Sequence, residues 1–148
     1  MREFVAFIRQ ARARRDYRAV VEMVPYAGLL GMDFDEDEQG LLFRLAYREQ
    51  NIGNSQVPAL HGGVIAAFME HSAILQLMWN LESTVLPKVV DFTIDYLRPG
   101  RPRDTFARCQ VLRQGQRVAN VTVEAWQDDP ARLIAVARTH FLLSRDEA

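Results

Sequence analysis

The chain has 148 residues, 49% hydrophobic and 25% charged, with a formal net charge of −1. That is the size and balance of one ordinary globular domain, and so even a charge gives no electrostatic footprint for nucleic acid. The single cysteine, Cys109, excludes an intrachain disulfide, and no cysteine–histidine spacing suggests a metal site.

No apolar run reaches the roughly 18–20 residues of a membrane span. The opening Met1-Arg2-Glu3-Phe4 lacks the apolar stretch of a secretory signal. Residues 9–18 are rich in arginine, as transit peptides are, but Glu3 and Asp16 count against that reading. A reducing, cytoplasmic location is expected.

Residues 2–22 are predicted as one helix, because Phe4, Val5, Ile8 and Ala11 recur at helical spacing while Arg9, Arg12 and Arg14 fall elsewhere. Pro25, Gly28 and Gly31 then mark a turn region. Residues 32–37 are expected as a strand, the acidic run 33–38 with Gly40 as a solvated hairpin turn, and residues 41–47 as the next strand. Residues 48–60 are polar, carry Gly53 and Pro58, and read as a loop. His61-Gly62-Gly63 opens the apolar stretch 64–81. It is too long for a strand and apolar on nearly every side, which predicts a fully buried helix.

Four β segments follow. Residues 88–98 alternate Val90, Phe92, Ile94 and Tyr96 against Asp91, Thr93 and Asp95. Residues 104–113 are a strand, and Gln114-Gly115 a hairpin turn. Residues 117–127 alternate Ala119, Val121, Val123 and Ala125 against Asn120, Thr122 and Glu124. Residues 133–143 close the chain's β segments. The short turns imply an antiparallel sheet, and one sheet wrapped around the central helix is the simplest way to bury it. The expectation is an α+β fold, with an N-terminal helix in 1–24 and one domain in 25–148.

Glu70 stands out because it interrupts Ala66-Ala67-Phe68-Met69 and Ala73-Ile74-Leu75. A carboxylate buried without partners is strongly disfavoured. Its neighbours one turn away, Ala66, Ala67, Ala73 and Ile74, are mostly small and leave room for a ligand. The other reading is a structural glutamate paired with an arginine from a strand; spacing alone leaves both open. Glycines at a helix start allow close approach to the backbone, and the first amides there lack helical partners. Such amides can hold a developing oxyanion; equally, Gly62 and Gly63 can serve only a sharp strand-to-helix entry. Ser55 and Ser72 lack a nucleophile-elbow context. His71 points about 100° away from Glu70 around the helix. His140 reads as packed or hydrogen-bonded, and Trp79 and Trp126 as core or interface.

Together, Asn54, His61-Gly62-Gly63-Val64-Ile65-Ala66-Ala67-Phe68-Met69-Glu70, the stretch Val89-Val90-Asp91-Phe92-Thr93-Ile94-Asp95-Tyr96-Leu97-Arg98-Pro99 and the closing Ala135-Val136-Ala137-Arg138-Thr139-His140-Phe141 resemble the hotdog-fold acyl-CoA thioesterases of the phenylacetyl-CoA and 4-hydroxybenzoyl-CoA type. The resemblance spans roughly residues 28–143. It implies a hotdog fold, an acyl-CoA substrate, a homodimer or a dimer of dimers, and hydrolysis with no added cofactor. It gives Glu70 the role of general base or nucleophile and Gly62 that of oxyanion donor, with His61 shaping the turn and Gly63 among the substrate-binding residues.

Two positions depart from the family pattern. The Asn or Gln expected six residues before the histidine is Ser55, so Asn54 or Gln56 is expected to serve. A Ser or Thr expected two residues before the strand's Asp is Val89, so the polar partner for the attacking water is either missing or comes from elsewhere, such as Thr93. Arg98, Arg101 and Arg103, which flank Pro99 and Pro102, are expected near the nucleotide end of coenzyme A; the other reading is a solvated basic loop. The rival function is a non-catalytic acyl-CoA-binding hotdog protein, a sensor or scaffold. The paired His and acid patterns of hotdog dehydratases are not visible.

Overall fold

The computed structural model of the protein describes residues 2–80 and 87–143. The predicted last residue of the central helix, Leu81, lies outside them.

The N-terminal segment folds as three helices, α1 (Arg2–Arg14), α2 (Tyr17–Glu22) and α3 (Pro25–Leu30). The single helix expected over residues 2–22 is therefore two. Arg15 adopts a left-handed conformation, φ 53°, and the Asp16 carboxylate accepts from the Ala19 amide at 3.1 Å, capping α2. An aspartate three residues before an amide it can reach starts a helix better than it continues one. The turn region expected at 25–31 is the short helix α3. Proline at its first turn has no amide to waste, and Gly31 ends it at φ 84°. Ile8 and Ala11 of α1 are buried.

Strands β1 (Met32–Asp37) and β2 (Gly40–Leu45) form the predicted hairpin. The loop at 48–60 holds a 3-10 turn (Glu49–Asn51) and a small antiparallel pair, β3 (Ile52–Asn54) and β4 (Ala59–Leu60). The long helix α4 (Gly62–Asn80) follows, then β5 (Lys88–Tyr96), β6 (Thr105–Gln114), β7 (Val118–Trp126) and β8 (Ala135–Leu142). The main sheet is antiparallel throughout, in the order β1-β2-β6-β7-β8-β5.

Alternation along β7 and β8 buries Ala119, Val121, Val123, Ala125, Ala135 and Ala137 almost completely. All six are alanine or valine, so α4 can lie close to the sheet. The helix buries Ile65, Phe68, Met69, Ala73, Leu75 and Leu77 against it. Its other side is not sealed: Ala66, Ala67, Glu70, His71, Ile74 and Met78 are half-buried. The expectation of a fully buried helix thus holds for the sheet-facing side only. The Arg12 guanidinium donates to the Trp79 carbonyl at 2.7 Å, a cation on the negative end of α4.

β5 is a terminal strand of the sheet. The register between β5 and β8 shifts between Val89 and Asp91, so Val90 is a bulge residue and is 64% exposed. Sequence alternation groups Val90 with Phe92 and Ile94; the bulge removes it from that row.

Candidate active site

The glycine pair sits where β4 hands over to α4, and that junction is fixed by backbone bonds to two other segments. Leu60 N–H donates to the Gly100 carbonyl at 2.8 Å, and His61 N–H to the Asn51 carbonyl at 2.9 Å. The buried Asn51 side chain in turn donates to the Leu30 carbonyl at 2.8 Å. The His61 carbonyl accepts from the Val64 and Ile65 amides, which makes His61 the first hydrogen-bonded residue of the helix. Its imidazole folds over the same turn: Gly63 N–H donates to His61 Nδ1 at 2.9 Å. An Nδ1 that accepts leaves the ring proton on Nε2.

The local glycines are required by close approach. A Cβ at Gly63 would lie 2.9 Å from His61 Nδ1, and one at Gly53 would lie 2.8 Å from His61 Cα. A Cβ at Gly62 would lie 3.2 Å from Cζ and Oη of Tyr96. Tyr96, at the end of β5, donates its hydroxyl to the Gly62 carbonyl at 2.7 Å. Sequence reasoning placed Tyr96 only in an alternating row. The available signal was that it is the one hydroxyl-bearing residue on the inner side of that strand. With the Gly63 amide taken by His61, the Gly62 N–H is the amide of this turn that has no partner among the described residues.

Glu70 lies two turns further along α4, half-buried. No hydrogen bond or ion pair joins it to any described residue, so the reading as a glutamate paired with a strand arginine finds no support. Gly62 and Glu70 are eight residues apart, about 12 Å along one helix. Between them the helix surface is made by Ala66 and Ala67.

The other expected residues divide. The Asn54 side chain accepts from the Gln56 and Val57 amides at 2.9 and 3.2 Å, so it is engaged in folding its own loop; Gln56 is exposed beside it. Thr93 is on the opposite sheet face from Phe92, Ile94 and Tyr96, exposed, and is not brought to the Gly62 turn. The segment 98–103 packs beside the turn through Gly100, whose added Cβ would press on Ile65 and Leu60. Its arginines have local partners: Arg98 donates to the Leu133 carbonyl at 2.7 Å, and Arg103 pairs with Asp128 at 2.6 Å. Gln127 holds the Arg101 backbone at both N–H and carbonyl. Arg98, Arg101 and Gln127 line one surface cleft together with Asp128, Asp129 and Arg132, a residue that sequence reasoning passed over; Arg103 is not in its lining.

The remaining polar candidates are accounted for elsewhere. Ser72 donates to the Phe68 carbonyl at 2.8 Å. His71 Nδ1 lies 2.8 Å from the Ala67 carbonyl, and its ring packs on Tyr26. His140 is bonded to Asp91 at 2.8 Å on the outer sheet face, and this bond holds the Asp91 carboxyl below its ordinary range. No cluster of three or more metal-ligating side chains occurs among the described residues, and none of their helices is long and apolar enough to cross a membrane.

An antiparallel six-stranded sheet packed on one long central helix is the arrangement of a hotdog protein. Residues 58–134, just over half of the chain, match the thioesterase superfamily. The chain belongs to that family and is a thioester hydrolase. It is similar to a crystal structure of a protein from Chromobacterium violaceum, with 48% identity, a TM-score of 0.80, and coverage of 96% of this chain and 99% of that one. It is 28% identical over 134 residues to the medium/long-chain acyl-CoA thioesterase YigI of Escherichia coli K12, covering 80% of this chain and 86% of that protein. A Bacillus halodurans protein crystallised with CoA shares the fold at 19% identity, with a TM-score of 0.74 over 98% of this chain and 91% of that one.

Proposed function

We propose that the protein is a cytoplasmic acyl-CoA thioesterase in which Gly62 and Glu70 of two different copies make one site. The observation that carries this reading is the Gly62 amide, left unpaired between two pinned peptides at the positive end of α4. The thioester carbonyl oxygen accepts from this N–H as negative charge develops on it. Glu70 takes a proton from water, which adds to the acyl carbon, or attacks that carbon itself to give a mixed anhydride that water then opens. The carbon–sulfur bond breaks, and the thiolate recovers the proton. His61 shapes the turn, and Gly63 keeps it narrow enough for the imidazole cap.

An oxyanion donor and an attacking base must both come within about 3 Å of the reacting group. Separated by about 12 Å along one helix, they do not easily meet within a single copy. A second copy related by a two-fold axis brings its Glu70 beside the first copy's Gly62 and creates two equal sites. The open edge of β5, with Val89 37% and Val90 64% exposed, offers this second copy a strand to pair with. The half-open strip of Ala66, Ala67 and Ile74 suits an apolar acyl chain, in keeping with the name of the E. coli relative. Arg98, Arg101 and Arg132, which line one cleft, offer positive charge to the phosphates of coenzyme A.

The test is thiol release from a panel of acyl- and aryl-CoAs of graded chain length. Turnover that rises with apolar chain length supports this reading. Tight binding without release would identify a non-catalytic acyl-CoA binder instead.

A further inference from the structure

A carbonyl seated on the Gly62 N–H must fit its acyl group into the space beside that residue, and one side of this space has a fixed wall. A Cβ at Gly62 would meet Cζ and Oη of Tyr96 at 3.2 Å and Cε1 at 3.4 Å. The amide nitrogen is one bond, about 1.5 Å, from the α-carbon that this ring flanks. The Tyr96 hydroxyl donates to the Gly62 carbonyl at 2.7 Å. That bond ties the far end of the ring to the helix, so the ring cannot swing aside without losing it. Phe92 and Ile94, earlier in the same row of β5, pack against the core. Tyr96 instead reaches the turn and is 51% exposed, so its ring faces open space as well as the glycine. Ala66, one turn further on the Gly62 face of α4, is half-buried and begins the strip proposed for the acyl chain. A chain that leaves the donor for this strip starts beside the tyrosine ring.

From this we infer that Tyr96 is a specificity residue. Its tethered ring limits the width of the acyl group next to the carbonyl. Straight-chain acyl-CoAs fit, whereas those branched at the α-carbon, or carrying an aryl group on the carbonyl, are disfavoured. This rests on the thioesterase reading above, in which the Gly62 amide receives the carbonyl.

Two isomers that differ in the placing of one carbon, octanoyl-CoA and 2-methylheptanoyl-CoA, test it. One carbon more or less in a fitted apolar site is worth about 10- to 200-fold in kcat/KM, so the wild type should favour octanoyl-CoA at least about tenfold. Tyr96→Ala removes the wall and should bring the two substrates within about threefold of each other. Tyr96→Phe keeps the ring and should keep most of the preference. A ring that only supports the turn would lower both rates together and leave their ratio where it was. Should Tyr96→Ala fail to fold, Tyr96→Leu removes the ring and puts the same question. Equal use of the two substrates by the wild type, or an unchanged ratio in the folded variant, would overturn the inference. If the wild type releases no thiol from any acyl-CoA, the functional reading fails. The dissociation constants of the same pair, measured by calorimetry on wild type and variant, then decide the inference by the same ratio, and no binding of either isomer overturns it as well.

Discussion

Glu70 sits half-buried on a helix whose other side is packed, with no partner among the described residues. Replacing it by glutamine keeps its shape and removes its base, so Glu70→Gln is expected to lower kcat by about two to four orders of magnitude. Because no native ion pair is lost, the melting temperature should change little; thiol-release kinetics and a thermal melt check the two halves. Asp91 makes a contrasting case. Its carboxylate accepts from the His140 ring at 2.8 Å and from the His140 amide at 3.2 Å, and these bonds favour the charged form. A carboxyl depressed in the folded state stabilises the fold above its unfolded value, and that contribution is lost as pH falls through the depressed one. The Asp91 carboxyl signal should therefore titrate below the ordinary value of about 3.9, and His140→Ala should raise it, as followed by carbon NMR. Unchanged titration in the variant would show that the pair does not govern it.

The elements were legible wherever one interaction dominated. Strands β7 and β8 alternate small apolar residues with polar ones, and both appear where that alternation lies. The long apolar run could only become a packed helix. What escaped was decided by local competition. Asp16 looked like one more polar residue on a helix face, yet its carboxylate caps a new helix and Arg15 breaks the old one. Asp16→Ala should cost about 1 kcal/mol, read from urea unfolding, and should leave catalysis alone. Val90 fell out of its row because a bulge is set by pairing with β8, which alternation does not encode. The candidate site divides the same way. Gly62, Gly63 and Glu70 announce themselves by being out of character in their surroundings. Asn54 is engaged in its own turn and Thr93 faces away, because loop closure and strand phase decide those directions. Tyr96 could not be joined to Gly62 from sequence, since 34 positions separate them and only the closed sheet brings them together.

At the scale of the whole molecule the question is how many copies make a site. Glu70→Gln lacks the proposed base, and Gly62→Val presses a side chain against Tyr96 beside the proposed donor. Each homodimer alone is expected to be nearly inactive. Mixed under conditions that exchange subunits, a heterodimer pairs an intact Gly62 with an intact Glu70, and activity should return to a fraction of wild type. No recovery after verified exchange, or an active species that sediments as a monomer, would contradict the shared site. The contact between Arg12 and the Trp79 carbonyl has a consequence of its own. A guanidinium from α1 holds a carbonyl in the last turn of α4, so the first helix and that turn are expected to open together. Slow exchange of the amide hydrogens in that last turn then reports on whether the N-terminal helix is docked, some fifteen residues along the chain's central helix from the glycine turn, at about 1.5 Å for each.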